Sequence, residues 1–280
     1  MSIHGVLGET TSYPTSYDAS VLFAIARDVG RQQILANEQL TNINLSDGID
    51  VWQAFELSWL NRQGISKVAM ARIIIPASSP NIVESKSLKL YLNSLNFSRF
   101  DDVCAVQSVI ERDLSACVGA SVRVLICPLD GEEFAIAKPL GVCIDGVLDG
   151  GDELAIIDDV DASVLAGAVA GQMTNYQFHT NLLRSNCPVT NQPDWGTLSV
   201  VISTDKVVDY QQILRYVLTF RQHNGFHEQC VEQIFADLMA NFSPISLMVQ
   251  ANYTRRGGID INPVRVYRCD LPKICRQIRQ

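Results

Sequence analysis

Apolar and polar residues follow the same order of strand-like and helix-like spacing twice along this chain. A spacing of two predicts strands, and a spacing of three to four predicts helices. In the first half, these patterns predict elements at residues 51–60, 68–76, 88–95, 103–114, 121–126 and 134–142. In the second half, they predict elements at residues 176–184, 197–203, 213–218, 231–238, 245–253 and 262–268. Each half is therefore predicted to run strand-strand-helix-helix-strand-strand.

Two such units give an α+β fold in which four antiparallel strands carry two helices on one face of each sheet. The other face must then be covered by the partner half or by another subunit. Residues 84–92 align without gaps to residues 209–217, and the two stretches share a tyrosine at Tyr91 and Tyr216. We predict four segments along the chain. They are an N-terminal extension at 1–45, a first module at 46–145, a connector at 146–172 and a second module at 173–280.

Composition and charge limit the classes of protein to which this chain can belong. The chain has 280 residues, of which 47% are hydrophobic and 19% are charged, with a formal net charge of -8. This length supports two cores, and the absence of a basic run argues against a nucleic-acid surface. The N-terminus lacks the features of a signal peptide, and no segment reaches the roughly 18 apolar residues of a membrane span. The eight cysteines include no C-x-x-C pair, so we expect no metal site and reduced cytoplasmic thiols.

The most informative motif is CPVTNQPDWG at residues 187–196. Pro188 and Pro193 stiffen this segment because each removes a backbone donor and restricts the residue before it. A stiff loop can hold Cys187 and Asp194 at a fixed separation, as a nucleophile and its proton partner require. The alternative is a buried cysteine beside an aspartate of an ordinary turn.

A second candidate is His227-Glu228, at the start of a predicted helix. The helix dipole favours a carboxylate there and disfavours a charged imidazole, so His227 is expected to be neutral and able to pass protons. A purely structural role for this pair is the alternative. Cys230 falls on the apolar stripe of the same helix and is predicted to be a core residue.

A third candidate is the segment YTRRGG at residues 253–258, which follows a predicted strand. Its paired arginines and glycines suit an anion, because glycine allows close backbone approach and guanidinium gives bidentate contacts. Lys86 and Lys89 could face the same anion or simply water, and an exposed turn is the alternative for the arginines. No G-x-G-x-x-G or P-loop motif follows a strand, so neither a Rossmann nor a P-loop nucleotide site is predicted.

The two halves keep different parts of this chemistry. The cysteine loop joins the first two strands of the second half, whereas the corresponding loop at 61–67 has no cysteine. Conversely, only the first half begins its first helix with Glu-Ser-Lys, at residues 84–86. The asymmetry predicts a single active site shared by the halves.

The chain closely resembles the NADPH-dependent 7-cyano-7-deazaguanine reductases, the nitrile reductases of queuosine biosynthesis, in their two-module type. The matching motifs are ESKSLKLY at 84–91, CPVTNQPDWG at 187–196, FHEQCVE at 226–232, YTRRGGIDINP at 253–263 and LGETTSYP at 7–14. The resemblance covers nearly the whole chain except the connector. It implies a tandem tunnelling-fold, the architecture also found in GTP cyclohydrolase I.

The resemblance also implies a reaction and its residues. The nitrile is reduced to an aminomethyl group with two NADPH, as a step in tRNA modification. Cys187 would form a covalent thioimide, while Asp194 and then His227 would handle protons. Substrate contacts are implied at Val83, Glu84, Ser85, His227 and Glu228. NADPH contacts are implied at Ser85, Lys86, Arg256 and Gly257. No metal is expected, and the family pattern implies a cytoplasmic homodimer that binds neither nucleic acid nor membrane.

Two other functions compete with this interpretation. One is a cysteine-dependent amidohydrolase or nitrilase-type hydrolase on a purine-like substrate, using Cys187 with His227 and Asp194. The other is a non-catalytic pterin- or purine-binding module. NADPH oxidation that depends on the nitrile separates the reductase from the hydrolase, and a covalent adduct argues against the binding module.

Overall fold

The computed structural model describes residues 13–131, 133–151, 153–154 and 159–280, which group by contacts into two units. Unit 1 comprises the described parts of Met1–Val29, Ile49–Ala135 and Arg255–Ile261. Unit 2 comprises those of Gly30–Gly48, Ile136–Thr254 and Asn262–Gln280. The four segments predicted along the chain stay a prediction, because this grouping follows contacts in space rather than chain order. The motif at 7–14 lies outside the described residues except for its last two positions.

Unit 1 has the first five elements predicted for the first half. Its strands and helices are β1 (Ala24–Ala26), the start of α1 (Arg27–Leu35), β2 (Gly48–Leu60), β3 (Ser66–Pro76), β4 (Asn81–Val83), α2 (Ser85–Leu95), α3 (Val103–Val118) and β5 (Arg123–Cys127). The main sheet is antiparallel in the order β5-β3-β2, and β1 pairs with β4 separately. The α+β class is confirmed, with two helices packed on one face of the sheet.

The strand predicted at 134–142 is wrong. A two-residue strand, β6 (Val142–Cys143), occurs at its end, belongs to unit 2 and pairs in parallel with another strand of that unit. Pro139 removes a ladder donor, and Gly141 has a φ of 70°, outside the extended region. The alternation also does not define a buried face, because Ile136 is 58% exposed.

Unit 2 has all six elements predicted for the second half. Besides β6, it contains β7 (Ala170–Asn186), β8 (Pro193–Lys206), α4 (Tyr210–Thr219), α5 (His227–Phe242), β9 (Ser246–Tyr253) and most of β10 (Ile259–Tyr267). The order of its strands is β10-β9-β8-β7-β6. Strand β7 is longer than predicted and begins inside the predicted connector. Part of that connector, a 3-10 turn at Ala162–Leu165, places Leu165 in the core.

Each unit has its own core between its sheet and its two long helices. In unit 2, alternate residues of β9 (Leu247, Val249 and Ala251) are buried in this layer. In unit 1, Ile73 of β3 and Leu114 of α3 are buried in the corresponding layer. Each fully buried large aliphatic side chain contributes about 1.5–3 kcal/mol relative to exposure. The face of each sheet that lies against the helices is therefore filled by core side chains.

The repeat is visible in single hydrogen bonds. The Tyr91 hydroxyl donates to Asp113 at 2.7 Å in unit 1, and the Tyr216 hydroxyl donates to Asp237 at 2.6 Å in unit 2. In each case the tyrosine belongs to the first helix and the carboxylate to the second. Burial raises the pKa of Asp237 above its ordinary value, with hydrogen bonds from Tyr216 and another side chain acting in the opposite direction. The aligned tyrosines therefore hold the two helices of each unit together.

Replacing Tyr216 with phenylalanine is expected to lower the free energy of unfolding by about 1–3 kcal/mol, since a buried carboxylate loses a hydrogen bond. Tyr91→Phe should have an effect of similar size. Urea denaturation followed by circular dichroism measures both. Tyr176→Phe is a matched control, because Tyr176 is half-buried and makes a ring contact with Tyr210. Equal stability of the Tyr216 variant and this control would contradict the prediction.

Candidate active site

The segment between β7 and β8 is a tight, hydrogen-bonded turn. The Cys187 N–H donates to the Gln192 carbonyl at 2.9 Å, and the Cys187 carbonyl accepts from the Asn191 N–H at 2.9 Å. Asn191 has a φ of 53°, a left-handed conformation that asparagine tolerates better than most residues. The backbone at Cys187 is therefore fixed on both sides, and its side chain is half-buried.

Strand register relates Cys187 to Asp194. Asp194 lies opposite Ser185 in the β7–β8 ladder, and Cys187 continues that ladder opposite Gln192. Residues two apart on a strand share a face, so Asp194 is the diagonal neighbour of Cys187, at about 7–8 Å between Cα atoms. Asp194 is 4% exposed, so its carboxylate lies in a largely water-free environment.

The start of α5 is attached to the same turn by backbone hydrogen bonds. The Asn186 N–H donates to the His223 carbonyl at 2.8 Å, and the Gly225 N–H donates to the Asn186 carbonyl at 3.1 Å. A Cβ at Gly225 would lie 2.8 Å from the His223 ring, so glycine is needed for this approach. Because Asn186 precedes Cys187, these bonds bring the first residue of α5 next to the cysteine turn.

That first residue is His227, and it contacts Asp194. Its Nε2 lies 3.4 Å from Asp194 Oδ2, longer than a normal hydrogen bond. The His227 side chain is 15% exposed and the Asp194 side chain 5% exposed. The His227 ring also stacks on Tyr253, with ring centroids 3.9 Å apart. Glu228, in the first helical turn, is 3% exposed and lies where the dipole favours a negative charge. Unit 2 therefore places an imidazole beside the carboxylate of Asp194, with Glu228 next along the helix and Cys187 on the adjoining turn.

In unit 1, the predicted substrate residue Glu84 is the N-cap of α2. Its carboxylate accepts from the Lys86 N–H at 2.9 Å and from the Ser87 N–H at 2.7 Å. Each carboxylate oxygen can accept a further hydrogen bond, so capping does not exclude a ligand. Val83 is different, because its side chain is buried in the core and a substrate contact there is left to its backbone.

A cavity of about 500 Å³ lies beside α2 in unit 1. Its walls include Lys86, Lys89, Glu56 and Gly257, and its size is typical of sites for small molecules and cofactors. A Cβ at Gly258 would lie 2.4 Å from the Glu56 carboxyl carbon, so the second glycine allows this close contact. Two ammonium groups and an exposed glycine backbone suit the phosphates of a dinucleotide. Of the predicted cofactor residues, Lys86 and Gly257 line this cavity, and Ser85 and Arg256 do not.

Comparison with known proteins now decides the family. Residues 13–126 match a family model described as nitrile reductase, 7-cyano-7-deazaguanine-reductase N-term, and residues 193–270 match one described as QueF-like protein. An NADPH-dependent 7-cyano-7-deazaguanine reductase of Psychrobacter cryohalolentis is 56% identical over 289 residues, covering 100% of both chains. That of Acinetobacter baumannii (strain ACICU) is 49% identical over 276 residues, covering 98% of each. The chain belongs to this family.

Membership in the 7-cyano-7-deazaguanine reductase family confirms the resemblance inferred from the motifs. A solved archaeosine synthase of the QueF-Like type, in the apo form, matches 37% of this chain at 16% identity with a TM-score of 0.31, and is too distant to bear on the site. Among the residues that the structure describes, no helix is long and apolar enough to cross a membrane.

In this reductase-family chain, three residues with notable contacts were not among the predicted site residues. Asn186 carries the backbone bonds that position α5, and Tyr253 stacks on His227. Arg255 lies with its guanidinium carbon 3.7 Å from the Phe55 ring centroid, a distance typical of a cation–π contact. The sequence offered one signal, because Tyr253 and Arg255 belong to the YTRRGG motif. Nothing in the sequence indicated the role of Asn186.

Cys230 is confirmed as a core residue, and its chemistry should differ from that of the exposed thiols. Burial raises the pKa of Cys230 to about 12. At pH 8 almost none of this thiol is thiolate, so iodoacetamide should leave Cys230 unmodified in the native protein. Peptide mapping measures this, with exposed Cys104 as the reactive control. Modification of both residues at the same rate would show the prediction to be wrong.

Proposed function

We propose that this chain reduces the nitrile of 7-cyano-7-deazaguanine to an aminomethyl group, with NADPH as reductant, in queuosine biosynthesis. Family membership supports the reaction and the cofactor. The observation that carries the mechanism is the grouping of Cys187, Asp194 and His227 in unit 2. A hydrolase using the same residues has no support from the comparisons.

The first step we propose is covalent capture of the nitrile by Cys187. A free thiol is mostly protonated at pH 7, so a neighbouring base must take its proton, and Asp194 with His227 is the available pair. Sulfur forms a bond to the nitrile carbon, one π bond of the nitrile breaks, and the nitrogen takes the proton. The product is a thioimide attached to Cys187, a better hydride acceptor than the nitrile.

The remaining steps need two hydrides and two protons for each nitrile. Bound NADPH supplies hydride to carbon. The first reduction gives a carbon bonded to both sulfur and an amino group. The carbon–sulfur bond then breaks while the amino group gives one proton to the neighbouring base, which regenerates the Cys187 thiolate and leaves an imine for the second reduction. Asp194 and His227 deliver the protons to nitrogen, a role for which a buried carboxylate–imidazole pair is suited.

The remaining predicted residues are proposed to bind the substrate and NADPH. The carboxylates of Glu84 and Glu228 accept hydrogen bonds from the N–H edge of the substrate, because an ionised carboxylate only accepts. The substrate set is completed by Val83, Ser85 and His227. NADPH is bound by Ser85, Lys86, Arg256 and Gly257, and the positive cavity beside α2 supports the part played by Lys86 and Gly257.

We also propose a cytoplasmic homodimer that binds neither nucleic acid nor membrane. The net charge of -8 is unsuited to a phosphate backbone, and a catalytic thiol needs a reducing compartment. Light scattering after gel filtration should give twice the 30.9 kDa of one chain. A mass of one chain would refute the dimer.

The decisive experiment for the function has two measurements. Absorbance at 340 nm should show about two NADPH oxidised for each molecule of 7-cyano-7-deazaguanine. Intact mass spectrometry without NADPH should show an adduct equal in mass to the nitrile, and peptide mapping should place it on Cys187. Nitrile hydrolysis without NADPH oxidation would favour the hydrolase, and neither adduct nor turnover would favour a binding module.

Asp194→Asn is expected to bind the nitrile but to lower the turnover number about 100-fold, because the amide cannot supply or accept the proton. Isothermal titration and steady-state NADPH oxidation separate the two effects. Asp159→Asn is a suitable control, since Asp159 is a surface residue that contacts His223. Near-normal turnover of the Asp194 variant would move the acid role to His227.

A further inference from the structure

The ring of Tyr253 packs directly against His227, and the proposed reaction gives it no part. The two ring centroids lie 3.9 Å apart, with 36° between the ring planes. Tyr253 is the last residue of β9 and is 1% exposed. A stacked aromatic pair contributes beyond simple burial and favours particular ring orientations. The imidazole therefore has a rigid neighbour on one of its faces.

Tyr253 is itself held in place. It pairs with Gly196 of β8, and a Cβ at position 196 would lie 3.2 Å from Tyr253 Cδ1 and 3.4 Å from Cε1. These distances are shorter than the ~3.5–4.0 Å of comfortable carbon contacts, so the missing side chain leaves room for the ring. The Tyr253 carbonyl accepts from the Gln280 side chain at 3.2 Å, which fixes the end of the strand.

The hydroxyl of Tyr253 is unsuited to carrying protons. Burial raises the pKa of this phenol well above its ordinary value, so the hydroxyl stays protonated near neutrality. The contact of the Tyr253 ring with the His227 imidazole is therefore the feature through which Tyr253 could act. His227 Nε2 lies 3.4 Å from Asp194 Oδ2, just beyond hydrogen-bond distance, where a small rotation of the imidazole decides whether a proton can pass.

We propose that Tyr253 is a positioning residue whose ring, given room by Gly196, holds the His227 imidazole in line with Asp194. The inference rests on the proposed function, because it concerns the proton transfers of that reaction. Without the ring the imidazole can rotate away from the carboxylate. A misplacement of about 1 Å is enough to cost about 100-fold in rate. Because the change acts on the alignment of His227 with Asp194, we expect it to lower kcat more than it raises KM.

The test compares Tyr253→Phe, Tyr253→Leu and Gly196→Ala in the full chain. The leucine variant is expected to lower kcat for NADPH oxidation about 10- to 100-fold, with KM for the nitrile within about threefold. The phenylalanine variant keeps the ring and should stay within about threefold of the parent in both constants. Gly196→Ala keeps the ring but displaces it, and should lower kcat about 10-fold. This split between kcat and KM, with rescue by phenylalanine, is not expected from a merely structural residue.

The outcomes separate this inference from the proposed function. An unsubstituted chain that shows neither adduct nor NADPH oxidation refutes the function itself. With an active parent, an unchanged kcat in a folded Tyr253→Leu variant overturns the positioning role. If that variant unfolds, an unchanged kcat for Gly196→Ala overturns it instead. A loss in Tyr253→Phe as large as in Tyr253→Leu would also overturn it, because the hydroxyl would then be responsible.

Discussion

Cys187→Ala is expected to abolish nitrile-dependent NADPH oxidation, with a loss of about 10⁴-fold or more. Alanine has no nucleophile, so the thioimide cannot form and the nitrile remains a poor hydride acceptor. The fold should be unaffected, because Cys187 lies in a turn held by backbone hydrogen bonds and its side chain is half-buried. Steady-state absorbance and intact mass spectrometry measure the two consequences.

The control for this experiment is Cys104→Ala, which removes an exposed thiol at the start of α3. It should retain full activity and form the adduct. Tight binding of the nitrile by the Cys187 variant, measured by calorimetry, would show that the pocket is intact. Adduct formation or substantial turnover without the thiol would refute covalent catalysis at this position.

Glu232→Ala is expected to have the largest effect on stability. Glu232 on α5 accepts hydrogen bonds at 2.7 Å from both Arg31 and Arg265, and the Arg265 side chain is completely buried. Removing one partner of a buried ion pair costs about 3–5 kcal/mol, because the remaining charge is separated from both water and its carboxylate. That is a large part of the 5–15 kcal/mol typical of whole domains. Urea denaturation should show a strongly lowered midpoint or no folded protein.

Two further variants make this test specific. Glu232→Gln keeps the size and one acceptor, so its loss should be smaller than that of alanine. Asp101→Asn breaks the Arg62–Asp101 pair, whose side chains are mostly exposed, and should leave the denaturation midpoint unchanged. If the denaturation midpoint of Glu232→Ala equals that of the parent within error, the ion pairs of Glu232 with Arg31 and Arg265 do not stabilise the fold.

Much of the fold could be predicted because the spacing of apolar residues reports directly on burial. The strand predicted at 245–253 is present as β9, and its alternate residues Leu247, Val249 and Ala251 are buried in the core. The prediction was wrong at 134–142, because Pro139 and Gly141 disfavour a strand and the apolar alternation does not mark a buried face. Spacing alone cannot separate these cases, since it carries no information on what covers each residue.

The geometry of the candidate site was predictable only between residues that are close in sequence. Cys187 and Asp194 are joined by a short turn, so their spacing in the sequence already indicates that they lie close together. The contact of His227 with Asp194 depends on Asn186, whose backbone pairs with residues near the start of α5. Any residue type can make such backbone bonds, which leaves no signature in the sequence. Stacking by Tyr253 was equally hidden, because a buried strand residue looks the same whatever it contacts.

Glu84 has one observed task, capping α2, and one proposed task, binding the substrate. Its carboxylate begins α2 by accepting two backbone N–H groups, and the same oxygens are proposed to accept from the substrate. Aspartate or serine there could cap the helix at least as well. Either is too short to reach a ligand in the same way. Consensus-based thermostabilisation should therefore avoid this position, where a gain in melting temperature would come with a loss of affinity.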